Sequence, residues 1–440
     1  MSTHLKKTLS PLLLWGLGVG YVISGMYFGW NYGLEKGGTY GMAIATVIIA
    51  IMYVCFSFSY SELACAIPKA GGGFDYANRA FGKDLGFITG LAQIIEFVFA
   101  PPAIAFAIGA YLNLNFPQID VIYFAIGAYA IFTTLNILGV KIAATFELVI
   151  TVLAVAELLL FFGVTIPHFS AENFSHNASI NGIGGIFAAL PFAIWFFLGI
   201  EGVANVAEES INPQKDITRG FGSAILTLVI LCALVYVAAI GVGGWEKILY
   251  KADGSLSDSP LPMAMGMAVS TDSLMYQLLI GVGLFGLIAS FHGLILAGGR
   301  ATMEFGKIDF APRFLGRVHA KYLTPANALI LNMLLGIAAL FTEKTGDIIT
   351  VSVFGALTLY ILSMMSLLKL RQSEPDLARP FKVPFYPIFP IAALVIGIIS
   401  LIAMSYYNQR LALWYFGVLA AGYISFKLFH KFDETIIDED

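Results

Sequence analysis

Apolar stretches of about 20 residues recur from one end of this 440-residue chain to the other, each long enough to cross a bilayer as a helix. Twelve are marked by the pattern, at 12–33, 40–67, 84–112, 119–138, 142–167, 183–209, 219–244, 273–299, 325–342, 347–369, 387–407 and 411–429. Backbone groups in hydrocarbon must bond within their own segment, so such stretches become helices. Composition agrees: the chain is 58% hydrophobic and 12% charged, about half the charged share of a soluble protein. The expectation is an all-α membrane protein with 12 transmembrane helices. Only five of the 24 Lys and Arg (Lys36, Lys247, Lys251, Lys344 and Arg410) fall on one side, which puts both termini on the basic, cytoplasmic side. Cys55, Cys65 and Cys232 lie in apolar stretches without CxxC spacing and read as buried small hydrophobes. Pro11 to Tyr32 is too long for a cleavable signal and lacks a small-residue cleavage pattern.

Within this frame the stretch LPFAIWFFLGIEGVANVAEESINP, Leu190 to Pro213, is the most informative. Glu201 sits between Gly199 and Gly202, about eight residues or ~12 Å of helix from the inner end. An ionised carboxylate facing lipid there costs several kcal/mol, so it must face protein, water or a cation. The glycines let the backbone open, and an opened helix is tolerated at that depth only where it lines a protected cavity. A packing glycine pair beside a Glu bonded to a neighbouring helix is the plainer alternative.

The first span is glycine-rich and places Ile23-Ser24-Gly25-Met26 near its middle. Gly16/Gly20 and Gly25/Gly29 suit close helix packing; a break at residues 23–26 would instead expose backbone groups to a ligand. Two interrupted spans at corresponding places point to an inverted-repeat transporter. The expected organisation is an N-terminal segment 1–11, a first repeat 12–167 (helices 1–5), a second repeat 183–369 (helices 6–10), two appended helices at 387–429 and an acidic cytoplasmic tail at 430–440.

The third span carries Glu96 about 13 residues or ~20 Å from its inner end, just before Pro101 and Pro102, which free a carbonyl. It is the second candidate for a midplane counter-charge. Glu62 and Glu147, nearer the inner interface, read as structural, with Glu62 reaching water or Lys69. Glu157 in the fifth span and His292 in the eighth are candidates for ion coupling, to a proton or to Na+. Gly71-Gly72-Gly73 lacks the spacing of a phosphate loop, which disfavours ATP-driven transport. No HExxH, metal cluster or nucleophile–base pair is visible, so neither an enzyme nor a metal or cofactor is expected. No nucleic-acid-binding character is found.

Several stretches resemble the amino acid–polyamine–organocation transporter superfamily: PKAGGGFDYANRAFG after the second span, IWFFLGIEGVANVAEESINP in the sixth and EPDLARPFKVPFYP after the tenth. GYVISGMYFGWNYGL and EFVFAPPAIAFAIGAY are similar to its ethanolamine permease branch. The resemblance implies a LeuT-type 5+5 fold with broken helices 1 and 6, and alternating access across the plasma (inner) membrane. It places Ser24 and Gly25 where amino acid-carrying relatives bind the substrate carboxylate. Ile23 replaces a frequent glycine, and Ala154 stands about where relatives often carry a lysine, used by some for proton coupling and missing here.

Ethanolamine is a protonated amine bearing a hydroxyl. On this reading Glu96, Glu201 or both hold the ammonium, Ser24 or backbone meets the hydroxyl, and Trp195, Tyr27 and Phe197 close over the amine by cation–π contact. An amino acid or polyamine permease of the same fold is the alternative.

Overall fold

The computed structural model describes residues 9–69, 71–139 and 143–429. The expected tail at 430–440 and the basic residues Lys6, Lys7, Lys141 and Lys431 lie outside the described residues. Among the described residues ten helices are long and apolar enough to cross a membrane, and Pro11–Val22 and Ala326–Leu340 are shorter apolar ones. Among the described residues no strand forms, only two isolated bridges. Together these helices occupy the twelve stretches marked by hydropathy.

The first span is Pro11–Val22 followed by a single turn, Ser24–Tyr27. Ser10 caps it by accepting from the Leu13 N–H, and Pro11 fills a first-turn position whose missing N–H costs nothing. The next helix, Tyr32–Ala66, starts earlier than the expected 40 and holds a corner at Gly38 (φ 64°). A Cβ on Gly38 would lie 2.7 Å from the Ala178 carbonyl, so only glycine lets the outer loop press into the corner. The third, fourth and fifth spans are Lys83–Asn115, Val121–Leu138 and Ala143–Thr165. The sixth is Gly182–Trp195 followed by a 3-10 helix, Ile200–Glu209; the seventh is Pro213–Gly243 and the eighth Leu274–Lys307. The ninth is Ala326–Leu340, the tenth Thr345–Ser373, the eleventh Ile388–Tyr407 and the twelfth Gln409–Phe429.

The third and tenth spans are the most enclosed, with 83% of their apolar window buried, and the twelfth the least at 22%, so the former form the centre and the latter faces outward. The third packs against the tenth, eighth and fourth; the first packs against the fifth and seventh. PKAGGGFDYANRAFG is not a bare loop, since Gly73–Phe81 forms an amphipathic helix just past the end of the second span.

That helix and the loop after the tenth span are tied together. Arg79 donates to both oxygens of Glu374, at 2.7 Å for the shortest contact. Glu62 takes a different partner from the expected Lys69: it accepts two 2.7 Å bonds from Arg371, one from the Val383 N–H at 2.7 Å, and pairs with Arg379 at 3.3 Å. The loop wraps over the end of the second span and brings both guanidinium groups to it. Removing one member of a buried ionic cluster leaves the others uncompensated, which costs about 3–5 kcal/mol. Glu62→Ala is therefore expected to lower the thermal unfolding midpoint in detergent by many degrees, whereas Lys69→Ala leaves it near the starting value.

Candidate functional site

The first span is interrupted at its expected place and then again further on. The Ser24 N–H donates not to its own helix but to Ser290 Oγ (2.9 Å), whose hydroxyl donates to the Gly20 carbonyl (2.7 Å). A side chain from the eighth span is thus spliced into the Gly20–Ser24 step. Four residues on, Phe28 is fully extended (φ −162°, ψ 175°) and Gly29 adopts φ 88°. Trp195 donates its indole N–H to the Phe28 carbonyl at 3.1 Å, and the Gly29 N–H donates to Asn31 Oδ1 at 3.0 Å. The larger opening is therefore at Phe28–Asn31, beyond the expected Ile23–Met26, because the Gly29 conformation and the Trp195 and Asn31 bonds stabilise it there.

The sixth span ends as α-helix at Trp195, turns through residues 196–199 with Gly199 at φ 96°, and resumes as 3-10 helix. Ten residues of 3-10 helix are unusual, since its hydrogen-bond geometry is poorer than that of an α-helix. Gly202 admits the Tyr21 ring, which would stand 2.7 Å from an added Cβ. The two interruptions touch: a Cβ on Gly25 would lie 2.5 Å from the Trp195 carbonyl oxygen and 3.1 Å from Phe196 Cα.

Glu201, on the resumed sixth span, accepts from the Tyr360 hydroxyl at 2.7 Å, while its other oxygen has no donor. Glu96, from the third span, lies against it side chain to side chain. Neither Glu96 oxygen has a hydrogen-bond donor, and both glutamates are fully buried. Gly355 allows the tenth span to approach: a Cβ there would meet the Ala92 carbonyl at 2.5 Å and the Glu96 nitrogen at 2.8 Å. Among the described residues no ion pair reaches either carboxylate. Two adjacent carboxylates repel each other, so the arrangement calls for a shared proton or a positive charge between them.

Aromatic rings line this region. Tyr53 stands 3.2 Å, hydroxyl to hydroxyl, from Tyr360, and Phe197 packs on Tyr53 with centroids 5.2 Å apart. Phe56 packs on Tyr360 at 4.3 Å. Phe197 thus packs on Tyr53, whose hydroxyl meets that of the Glu201 partner Tyr360, whereas Tyr27 and Trp195 are engaged elsewhere. Tyr27 donates to Glu157 Oε2 (2.5 Å) and contacts the Ala154 carbonyl (3.1 Å), held toward the fifth span by that buried carboxyl. Trp195 is committed to the Phe28 carbonyl. Tyr53 and Tyr360 escaped the sequence reading, although Tyr360, the one tyrosine of the tenth span, needs a polar partner when buried and so carried a signal. Glu157 serves Tyr27, and His292 stands 3.8 Å from Glu147, so neither coupling candidate belongs to the Glu96–Glu201 cluster.

The amino acid permease family model matches residues 13–431 of the chain. A transporter of Rhizobium meliloti, described only as uncharacterized, is 28% identical over 96% of this chain and 92% of its own. A branched-chain amino acid permease of Bacillus subtilis is 24% identical over 89% of this chain and 86% of its own. The crystal structure of an Eremococcus coleocola manganese transporter, bound to an aromatic bis-isothiourea compound, superposes with TM-score 0.59 at 13% identity, over 97% of each chain. That likeness concerns the fold alone.

At the end of the bundle away from the Gly73–Phe81 helix, a hollow of about 600 Å³ is lined by Tyr32, Phe192, Asp258 and Thr345, among others. Asp258, in the loop before the eighth span, accepts from the Tyr32 hydroxyl and from Thr345 Oγ1 (3.2 Å), tying three outer segments together. Burial pushes its carboxyl above the ordinary range, against the pull of those two hydroxyls and of Lys251. A carboxyl with a raised folded value favours the folded state when protonated, and that contribution is lost as pH rises through the raised value. Wild-type protein is expected to lose thermal stability relative to Asp258→Asn as pH rises from about 4 to about 8; parallel pH profiles would rule this out.

Proposed function

The chain belongs to the amino acid permease family, and from that premise we propose that it carries a small organic amine, ethanolamine foremost, across the plasma membrane by alternating access. The family and its named relatives are permeases and transporters, not enzymes. As one of them, this multi-pass membrane protein is a secondary transporter of the amino acid and organic cation type.

The observation that carries the finer reading is the pair Glu96 and Glu201, buried side by side with no basic partner among the described residues. A protonated amine supplies the charge the pair lacks. A substrate carboxylate would meet two negative groups and be disfavoured. Tyr53, Phe56, Phe197 and Tyr360 offer the ring faces and hydroxyls that suit an ammonium with a short polar tail. Ser24 and Gly25, at the crossing of the two breaks, would meet the hydroxyl. Ile23, Met26, Gly199 and Gly202 shape the backbone there, not the charge.

The wider arrangement follows the same logic. Helices 1–5 and 6–10 form two inverted repeats of LeuT type, with breaks in the first and sixth and two helices appended. Both termini are cytoplasmic, by the asymmetry of the basic residues. Support comes from the touching breaks at Gly25 and Trp195, and from the hollows on either side. The outer one holds Asp258, and the inner one, of about 590 Å³, is lined by Cys65, Pro68, Asn212, Pro213 and Lys215. Neither is lined by Glu96 or Glu201, as an occluded state requires.

A second reading has its own support, since the Bacillus subtilis relative is named as a branched-chain amino acid permease. The two readings separate in counterflow with labelled ethanolamine competed by alanine, γ-aminobutyrate and putrescine. On the amine reading, Glu96→Gln and Glu201→Gln each lose about 2–5 kcal/mol of ethanolamine binding, a loss of roughly 30-fold or more. Normal ethanolamine uptake by both variants would end this assignment.

A further inference from the structure

Glu147 and His292 form a second polar cluster that the amine site does not use. Glu147 comes from the inner end of the fifth span and His292 from the middle of the eighth, with Nδ1 3.8 Å from Oε2. The Glu147 side chain is 3% exposed and that of His292 14%. Oε1 of Glu147 has no hydrogen-bond donor. It faces Gly20 of the first span closely, since a Cβ there would lie 2.6 Å from it. Gly20 is also the residue whose carbonyl Ser290 holds, two positions before His292 on the same helix. The acid, the imidazole and the spliced step of the first span are therefore in direct mechanical contact.

We propose that Glu147 and His292 together bind one proton, and that its arrival and departure control the spliced turn at Gly20–Ser24. This proposal rests on the transporter reading above but not on which solute is carried. With the imidazole neutral and Glu147 ionised, the pair holds one negative charge at membrane depth. Binding a proton on the imidazole leaves an ion pair of zero net charge, so the uncompensated buried charge is removed. The 3.8 Å separation is too long for a strong hydrogen bond, and a charge-assisted one would shorten it by about 1 Å. The shortening draws the eighth span toward the fifth and shifts Ser290 against Gly20 and Ser24. When the proton leaves, the contact relaxes and the Gly20 turn is released.

Among the described residues, other titratable groups on the helices packed around the pair have contacts of their own. Glu96 and Glu201 face each other, and Glu157 faces Tyr27, which also packs on Tyr111. Tyr129 packs on Phe291, Tyr21 on Gly202 and Gly293, and Asp216 bonds the Asn212 N–H. Phe132 of the fourth span covers the His292 ring with centroids 6.3 Å apart.

The test uses the full-length protein in proteoliposomes, with labelled ethanolamine and labelled alanine in parallel. If only alanine moves, the amine assignment fails while the proton pair is still tested with alanine. In wild type, an inward gradient of two pH units is expected to raise steady-state accumulation at least about fivefold, against a ceiling near 100-fold for one coupled proton. Glu147→Gln and His292→Asn are expected to keep exchange at equal pH within about twofold, yet gain little from the gradient, since exchange needs no net proton movement. The swapped double variant, Glu147→His with His292→Glu, should regain much of the response, which a merely packing role would not produce. Three results would overturn the proposal: a full gradient response in both single variants, wild-type uptake driven by sodium and indifferent to pH, or loss of exchange and gradient response together in both single variants with no rescue by the swap.

Discussion

A backbone amide or carbonyl inside a membrane has no water to turn to, and the rest of this structure depends on how that constraint is met. The first and sixth spans both stop being α-helix at depth, and each group set loose needs a partner. Ser290 reconnects Gly20 with Ser24, Trp195 takes the Phe28 carbonyl, and Asn31 takes the Gly29 N–H while donating to the Ser257 carbonyl at 2.8 Å. These substitutes come from other helices or from a neighbouring turn. The interruptions are thus held by tertiary contacts, and a shift of the eighth or sixth span changes the first directly.

The same economy explains the acids. Glu62, at the inner side, is surrounded by two arginines and an N–H and acts as a structural knot. Glu157 is bonded by Tyr27, and Glu147 has His292 nearby. Glu96 and Glu201 differ because their nearest polar neighbours are each other and the hydroxyl of Tyr360. Five buried carboxyls in one apolar bundle therefore fall into different classes by partner alone, and this sorting, more than depth, separates the candidate binding groups from the rest.

Much of the architecture was legible because hydropathy is a property of consecutive residues. The helices lie where the apolar stretches are, and Gly199 is a break because its neighbours are helix formers and it is not. What sequence concealed was what two distant helices do together. Nothing local to Glu62 points to Arg371 and Arg379, some 300 positions away. Tyr27, adjacent to the break in sequence, was expected over the amine, yet a carboxyl on another helix orients it away. Tyr360 carried a faint signal as the one tyrosine of its span, whereas Tyr53 sits in an aromatic-rich stretch, and only the fold brings their hydroxyls together. The larger opening at Phe28–Asn31 was missed for the same reason, since its stabilising indole belongs to the sixth span.

The inner half of the sixth span, Ile200–Glu209, is wound as ten residues of 3-10 helix. That winding rises about 0.5 Å more per residue than an α-helix. Rewinding it would shorten the segment by about 5 Å, close to one helical pitch, without breaking a covalent bond or recruiting a new residue. The change from three to 3.6 residues per turn would also rotate successive side chains by about 20° each. The segment is a coiled spring whose stroke and twist are fixed by peptide geometry, with the carboxylate of Glu201 mounted at its upper end.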